Sequence, residues 1–379
     1  MKFQSINFTC ESCGAPLKYS PVTASLKCEF CGTTQPIEQS NEIIYEYNFQ
    51  EALVHLDRQE PQAIDKEITC NKCAAHFTLT PYSVSSNCPY CGTPAITDFV
   101  QEITPKSLLP FTFTQEQAKQ RFKAWIGSLW FAPNQLKEYI DGEEKLQGYY
   151  LPHWIYDTDT VTHYRGQRGD IYYVTVERTV VVNGQPQRIM QQEPRIHWTP
   201  VSGTVQNSFD DVTVGASRTI PHTILDSLGS WDTTRLIPFN EKYLSGFESE
   251  EYTIGLDNGF EYAKVKMDYI IRQSIRAQIG GDQQQINNKE TQYHNTTYKN
   301  ALFPIWIAQF KYKGKVYNYA INAQSGKIVG ERPYSIMKIV LLVGFILVVI
   351  LGAVYLDEHP EVLEGVIDTP SSHSYQYVR

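Results

Sequence analysis

Eight cysteines in a repeated pattern constrain this chain more than any other feature of its sequence. All eight lie within the first 91 of 379 residues and form four C-x-x-C pairs. The segment FTCESCGAPLKYSPVTASLKCEFCGTTQPI, residues 8–37, aligns with ITCNKCAAHFTLTPYSVSSNCPYCGTPAIT, residues 68–97, and in both copies 14 residues separate the two pairs. A repeat of this kind predicts two copies of one small structural module.

The repeated pairs predict two zinc ribbons. Four thiolates suit Zn²⁺ in a tetrahedron, and a C-x-x-C turn brings two sulfurs onto one ion. A 14-residue spacer is long enough for a β-hairpin that returns the second pair to the first. Because the protein supplies all four ligands, we expect each of the two Zn²⁺ ions to be structural. The predicted ligands are Cys10, Cys13, Cys28 and Cys31 in the first ribbon, and Cys70, Cys73, Cys88 and Cys91 in the second.

Three other interpretations of the cysteines are less favoured. Pairing across the two repeats closes longer loops than local pairing and so costs more chain entropy. A thioredoxin-like redox motif occurs once in a βαβ unit, and not as four regular pairs. Four cysteines also suit an iron–sulfur cluster, but the paired ribbon spacing favours zinc.

The charge of the chain bears on nucleic-acid binding. The net charge is −8, and residues 1–100 hold 6 Lys/Arg and 11 Asp/Glu, a balance of −5. Eight thiolates and two Zn²⁺ ions would bring this segment to about −9. Contacts with phosphate dominate nucleic-acid affinity and need cations. The balance therefore favours ribbons that are rigid docking modules for other proteins, and nucleic acid is not an expected partner.

Residues 104–335 have the mixed pattern of an α+β domain. Thr114 and Gln117 form a capping box before a helical segment, and Asn183–Gly184 between two alternating apolar runs predicts a β-hairpin. A second helix is predicted to end at Gly280–Gly281. The Gln/Asn-rich segment 278–300 is expected to be a mobile loop.

Short similarities suggest that this α+β domain contains an internal duplication. LLPF at 108–111 resembles LIPF at 236–239, and YLPHWIYD at 150–157 resembles LFPIWIAQ at 302–309. These predict two modules, 104–220 and 236–335. The alternative is the chance recurrence of turns that contain proline and aromatic residues.

The segment 339–356 predicts a single membrane span. Its 18 residues carry no charge, which approaches the ~20 residues needed to cross ~30 Å of hydrocarbon. Basic residues remain cytoplasmic, so the flanking charges predict a cytoplasmic N-terminal part at the inner membrane. The start of the chain has no apolar signal segment, and reduced cysteines fit the cytosol. The flanking charges are Lys327, Arg332 and Lys338 before the span, and Asp357, Glu358, Glu361 and Glu364 after it.

The predicted fold class is therefore two small zinc-ribbon β modules, an α+β domain with a candidate duplication, and one C-terminal transmembrane helix. The predicted order is ribbon 1 at 1–41, a helical linker at 42–67, ribbon 2 at 68–100, the α+β domain at 104–335, the transmembrane helix at 338–356 and a short acidic extracytoplasmic tail at 357–379.

No catalytic residue is predicted. The segment QSGKIVG lacks the first glycine of a P-loop, and every cysteine is used by the ribbons. His153 and His197 stand beside tryptophans and are interpreted as packing or capping residues. Arg165 and Arg168, in YRGQRGD, are interpreted as part of a solvated turn in preference to an anion site.

The complete set of motifs resembles a known family. Tandem ribbons, WFAPN at 130–134, YLPHWIYD with YRGQRG, FPIWIAQFKYKGKVY with NAQSGKIVGERPYS, and one terminal span are together similar to bacterial membrane-anchored proteins with transcription-factor-IIB-type zinc ribbons. Such proteins are often labelled automatically as relatives of the primosomal helicase protein. The absence of a motor motif argues against helicase activity here.

The resemblance implies a non-enzymatic adaptor that recruits membrane and cytosolic proteins to the inner membrane. Some relatives are encoded beside phage-shock-type and band-7-type membrane proteins, so it also implies a role in envelope stress. All eight zinc ligands match the family pattern. The alternative hypothesis is a membrane-tethered, nucleic-acid-associated factor in replication or transcription. A redox or metal-sensing switch is a third class, and it would require labile zinc.

Overall fold

The computed structural model describes residues 2–56, 61, 63–131, 133, 146–182, 185–312, 314–331 and 334–358. The chain divides into two compact units. The first comprises Met1–Arg121, Lys145–Gln309 and Asn318–Gly330, and the second comprises Phe122–Glu144, Phe310–Tyr317 and Glu331–Arg379.

The described residues form seventeen strands and five α-helices. The helices are α1 Phe49–His55, α2 Gln115–Ser128, α3 His222–Ser227, α4 Leu256–Ile279 and α5 Ile336–Glu358. The strands are β1 Lys2–Gln4, β2 Leu17–Ser20, β3 Ser25–Cys28, β4 Thr34–Pro36, β5 Tyr47–Asn48, β6 Lys66–Thr69, β7 His76–Leu79, β8 Ser83–Asn87, β9 Pro94–Ile96, β10 Ser107–Leu108, β11 Gln147–Val182, β12 Gln185–Gly215, β13 Ile237–Pro238, β14 Glu248–Glu250, β15 Gln283–Tyr312, β16 Lys315–Asn322 and β17 Ile328–Gly330.

The strands assemble into one large sheet and two small ones. The small sheets have the orders β1-β6-β7 and β2-β3-β4. The 11-stranded sheet follows the path β13-β10-β15-β11-β14-β8-β9, with β12 beside β11, β5 and β16 beside β15, and β17 beside β16. The second cysteine repeat therefore contributes β8 and β9 to the large sheet, and β1 at the start of the chain pairs in parallel with β6. The predicted domain boundaries themselves remain predictions.

Three long strands form the centre of the large sheet. The predicted hairpin forms: β11 and β12 have 36 and 31 residues and pair up to Val182 and Gln185. Its turn, Asn183–Gly184, lies outside the described residues. The expectation of a mobile loop at 278–300 is wrong, because β15 runs through this segment and pairs with β11 from Gln283 to Ile307. Backbone pairing and helix cover stabilise a strand whose polar composition suggested a loop.

Helix α4 covers one face of this sheet. Its buried residues recur every three or four positions and include Phe260, Met267 and Ile271. They pack with Trp154 and Tyr156 of β11, whose side chains share one face because strand residues alternate. Leu151 and Ile155 belong to a second core cluster. Burial of the apolar face of α4 against the sheet is the main source of the stability of this helix.

The helix ends follow the predicted capping chemistry. At the start of α2, the Thr114 amide donates to Gln117 Oε1 at 2.9 Å and the Gln117 amide donates to Thr114 Oγ1 at 3.3 Å. Helix α4 ends at Gly280, whose φ of +66° suits glycine. Both predictions are confirmed.

Candidate metal centres

The first cysteine module, residues 8–37, is built from two tight turns and a short antiparallel sheet. The Gly14 amide donates to the Cys10 carbonyl at 2.8 Å, and the Gly32 amide donates to the Cys28 carbonyl at 3.1 Å. Strands β2 and β3 pair Leu17 with Cys28, which returns the second C-x-x-C turn to the first. The hairpin predicted from the 14-residue spacer is confirmed.

The second cysteine module, residues 68–97, repeats the two tight turns but not the strand pairing. Strand β7 pairs with β6 and β8 pairs with β9 and β14, so the hairpin predicted from this spacer is not found among the described residues. The Ala74 amide donates to the Cys70 carbonyl at 2.9 Å, and the Gly92 amide donates to the Cys88 carbonyl at 2.8 Å. Ala74 occupies the position that glycine holds in the other three turns, and it adopts a left-handed φ of +57°. An alanine in this conformation is strained, and the turn imposes the strain.

The eight predicted ligands come together as two separate groups of four. Within each group the candidate ligand atoms lie within 4.8 Å of one another. Each group could hold one metal ion, and the grouping is local, within each repeat. The sulfur–sulfur distances are 3.5 Å for Cys10–Cys31 and Cys13–Cys28, 3.7 Å for Cys70–Cys91 and 3.8 Å for Cys73–Cys88.

These distances fit a tetrahedral metal ion. Four sulfurs around Zn²⁺, with bonds of about 2.3 Å, are about 3.8 Å apart. In each C-x-x-C pair the first cysteine is buried and the second is more accessible. A set of four protein ligands leaves no open coordination position for substrate.

Two residues beside the ligands were missed by sequence reasoning. The sulfur of Cys31 lies 3.1 Å from the hydroxyl of Thr33, and that of Cys91 lies 3.3 Å from the hydroxyl of Thr93. These hydrogen bonds lower the pKa of Cys31 and of Cys91 to about 6. A lower thiol pKa favours the thiolate, which is the form that binds metal. The sequence contained a signal for these two threonines, since the tripeptide C-G-T occurs at 31–33 and again at 91–93.

Both modules are fixed to the rest of the first unit. The Tyr19 amide donates to the Ser245 carbonyl at 2.9 Å, and Ser245 Oγ donates to the Leu17 carbonyl at 2.7 Å. The Tyr19 and Tyr243 rings lie 4.8 Å apart. The second module is held by pairing of β8 with β14. The first module is therefore fixed to the segment 243–245, and the second is fixed to the large sheet.

The two histidines lie in different environments. His153 is buried, and its ring stacks on Phe303 with centroids 4.3 Å apart. Burial lowers the pKa of His153 to about 3, so the ring is neutral and serves packing as predicted. His197 is exposed on β12.

The YRGQRGD segment is part of a strand, so the solvated turn predicted for 164–170 is wrong. All of its residues belong to β11 and pair with β12. Arg168 Nε donates to Asp170 at 2.9 Å, and Arg165 lines an open polar cavity on the sheet. Strand β11 is hydrogen-bonded to β12 on one side and to β15 on the other, so the glycines that suggested a turn lie in paired strand.

A cluster of carboxylates elsewhere is bridged by a lysine. Asp157, Asp210 and Asp211 lie close together. Lys299 Nζ lies 2.7 Å from Asp211, 3.6 Å from Asp157 and 3.0 Å from Glu46. Burial disfavours the charge on Lys299, but the bonds to Asp211 and Glu46 hold its pKa above the ordinary value. The cluster is an ion-pair network.

Helix α5 carries the predicted span. Ile336–Asp357, 22 residues, is long and apolar enough to cross a membrane, and the most apolar 18-residue part of it has no residue buried within the protein. Arg332 and the predicted acidic tail after Glu358 lie outside the described residues.

Comparisons with known proteins leave the family open. No protein-family model matches the chain, and no solved structure matches it. The chain is 23% identical over 338 residues to the Bacillus subtilis (strain 168) protein named "Uncharacterized protein YdjG", which corresponds to 88% of this chain and 92% of the relative. The similarity extends along most of both chains.

Proposed function

We propose that this chain is a non-enzymatic, single-span membrane adaptor whose two zinc ribbons bind partner proteins. One observation carries the proposal: both modules expose an aromatic residue at the same repeat position. Phe30 in CEFC is 77% exposed, and Tyr90 in CPYC is 69% exposed. Aromatic residues act as anchors at the centre of protein interfaces.

The position of these rings supports a docking role. Each lies inside a C-x-x-C turn, so a bound metal would hold the turn in one conformation. A preformed anchor loses little conformational freedom on binding. Many spacer positions differ between the two repeats, yet this exposed position is aromatic in both.

Zinc is the proposed metal, and the ribbon of the transcription-factor-IIB type is the proposed module. The all-thiolate donor set and the distances between sulfurs support Zn²⁺, which is commonly bound in this way. Metal analysis of the purified full chain should find two zinc ions, and iron or fewer than two ions would contradict the proposal.

The proposed location is the inner membrane, with the N-terminal part in the cytoplasm. Lys338 in the first turn of α5 and Asp357 near its end support this orientation. The resemblance suggests phage-shock-type or band-7-type membrane proteins as partners, and envelope stress as the setting.

We also propose that the α+β domain arose by duplication. Helices α2 and α4 start at Gln115 and Leu256, each eight residues after the start of a short strand. Those strands, β10 and β14, pair in parallel with the two central strands: Ser107 with Ala301, and Glu248 with Tyr149.

Equivalent hydrogen bonds support this duplication. Ala216 donates its amide to the Pro152 carbonyl and Ala323 donates to that of Pro304. The Thr253 and Thr112 amides donate to the Ala216 and Ala323 carbonyls, respectively. The match of YLPHWIYD with LFPIWIAQ fits this relationship. The match of LLPF with LIPF does not, because Leu108 of the first and Ile237 of the second are paired with each other across β10 and β13.

The test is affinity purification of the full chain from membranes, comparing wild type with Phe30→Ala/Tyr90→Ala. We expect proteins that co-purify with wild type to be lost in the double variant, while two metal ions remain bound. Val54→Ala is the matched control, because Val54 is 82% exposed on α1 outside the cysteine modules. An unchanged set of partners in the double variant would refute the docking role.

A binding experiment at low salt separates the adaptor from a nucleic-acid-associated factor. Electrostatic association with DNA or RNA is strongest at low salt. The acidic modules predict no binding by the purified chain at 50 mM salt. Binding that weakens steeply as salt rises would favour the nucleic-acid function instead.

A further inference from the structure

We propose that Trp130 is embedded in the headgroup layer of the membrane that α5 spans, so that residues 130 and 131 form a second lipid contact. This inference rests on the proposed membrane anchoring. All the residues on which the inference depends belong to the second unit.

The first step is the attachment of this segment to the start of α5. The Ser335 amide donates to the Phe131 carbonyl at 2.8 Å. Lys338 Nζ donates to the Trp130 carbonyl at 3.2 Å. Residues 130 and 131 are therefore held beside the first turn of the apolar helix.

The second step is the direction of the lysine. Lys338 lies within α5, at the start of its apolar stretch, and lysines at such positions extend toward the headgroups. Its ammonium group contacts the Trp130 carbonyl. That carbonyl must then lie at the polar boundary of the hydrocarbon.

The third step is the exposure of the indole. Trp130 is 79% exposed, whereas the other five tryptophans are buried or half-buried. Tryptophan and tyrosine are enriched at membrane interfaces, where an amphipathic ring suits the headgroup level. Tyr334, which is 55% exposed, supplies a second aromatic ring just before α5.

The fourth step is the length of the apolar segment. Ser335, just before α5, and Tyr355 are 20 positions apart, which corresponds to about 30 Å of helix and to the thickness of the hydrocarbon core. Tyr355, also 55% exposed, lies at the far end. Aromatic residues thus bracket the span, with Trp130 in the nearer belt. Continuity with the span identifies lipid as the occupant in preference to a protein partner.

The experiment reconstitutes the full chain into vesicles of phosphatidylethanolamine and phosphatidylglycerol that carry bromine either near the headgroups or deep in the acyl chains. The fluorescence of Trp130 is the difference between wild type and Trp130→Phe, a variant that retains an aromatic ring. We expect bromine near the headgroups to reduce this emission by roughly half, with less quenching by deep bromine. Trp198→Phe, which changes a half-buried residue of β12, is the control and should leave the quenchable emission unchanged.

Two readouts separate failure of the inference from failure of the anchoring. Co-flotation with vesicles after alkaline extraction is measured first, and a chain that does not float contradicts the membrane anchor itself. If the chain floats but the Trp130 emission is not quenched at either depth, the lipid contact is refuted. Quenching that is stronger with deep bromine would also overturn the assignment to the headgroup layer.

Discussion

Lys66 Nζ lies 3.1 Å from Glu251 Oε2, and both side chains are essentially inaccessible to solvent. The pair joins the start of β6, the strand that leads into the second cysteine module, to the segment that follows β14. Glu251 also accepts hydrogen bonds from the amides of Val100 and Gln101, the latter at 3.0 Å. One buried ion pair thus connects the strand that precedes the second cysteine turns with the end of a strand of the large sheet.

Removal of one member of this pair should be strongly destabilising. Lys66→Met leaves Glu251 buried without its cation, and we expect unfolding in urea to require about 3–5 kcal/mol less free energy. The double variant Lys66→Met/Glu251→Gln should recover much of this loss, because an amide oxygen still accepts from Val100 and Gln101. Lys264→Met, which breaks an exposed pair with Glu261, should cost less than ~1 kcal/mol. Additive losses in the double variant would show that the pair is not coupled.

The threonine beside the last ligand should strengthen metal binding. Thr93→Val removes the hydroxyl near Cys91 and keeps the shape of the side chain, so we expect zinc affinity at the second site to fall by about 10- to 100-fold. Competition with a chromophoric chelator measures the change. Thr93→Ser restores a hydroxyl and should restore most of the affinity; equal losses in both variants would argue against the hydrogen bond.

The strained turn at Ala74 offers a stabilising substitution. Ala74→Gly should raise the free energy of unfolding by about 1 kcal/mol, since glycine adopts a positive φ without strain. Gly14→Ala makes the reverse change at the matching turn, where a Cβ would meet no atom within 4 Å, and should destabilise by a similar amount. Urea titration of both zinc-loaded variants provides the measurement. A destabilised Ala74→Gly chain would contradict this account of the turn.

Loss of the second metal site should affect the large sheet, whereas loss of the first should affect mainly its own module. Strand β8 pairs with β14, whereas β2, β3 and β4 form a separate sheet. Cys70→Ser/Cys73→Ser should therefore speed hydrogen exchange in peptides that cover 248–250, as well as in the second module. Cys10→Ser/Cys13→Ser should speed exchange chiefly within 17–36. Equal exchange at 248–250 in both variants would refute this distinction.

Acidification should destabilise the chain through His153. Its pKa is about 3 in the folded protein, below the ordinary 6.5, so only the unfolded chain gains the proton as the pH falls below 6.5. The stability contributed by the neutral ring therefore decreases by about 1.4 kcal/mol between pH 7.5 and 5.5, most of it below pH 6.5. His153→Phe should remove this part of the pH dependence, measured by urea titration between pH 7.5 and 5.5. The exposed His197→Gln variant should retain it, and an unchanged slope in His153→Phe would contradict the prediction.

Some features could be predicted because they depend on local spacing. Two C-x-x-C turns with a short spacer bring four sulfurs together whatever the rest of the fold, so all eight candidate ligands were identified. The box of Thr114 and Gln117 and the glycine at 280 likewise act within one helical turn. The helix from Ile336 is visible in the sequence because each of its faces is apolar.

Other features depended on pairing between distant residues. The Gln/Asn-rich segment 283–297 forms a strand because β11 supplies its hydrogen bonds and α4 covers Ile286 and Tyr293. Arg165 and Arg168 lie in a strand for the same reason.

By itself the sequence determined two four-cysteine modules, a largely folded middle region and one helix apolar enough for a membrane, since each follows from chemistry within a few tens of residues. Only the tertiary structure decided that the second module joins the large sheet, that Lys66 is buried against Glu251 across 185 positions, and that Trp130 lies beside the start of α5. Those relationships arise from contacts between segments far apart in the chain. A local pattern of residues does not specify which distant segment will pack against it.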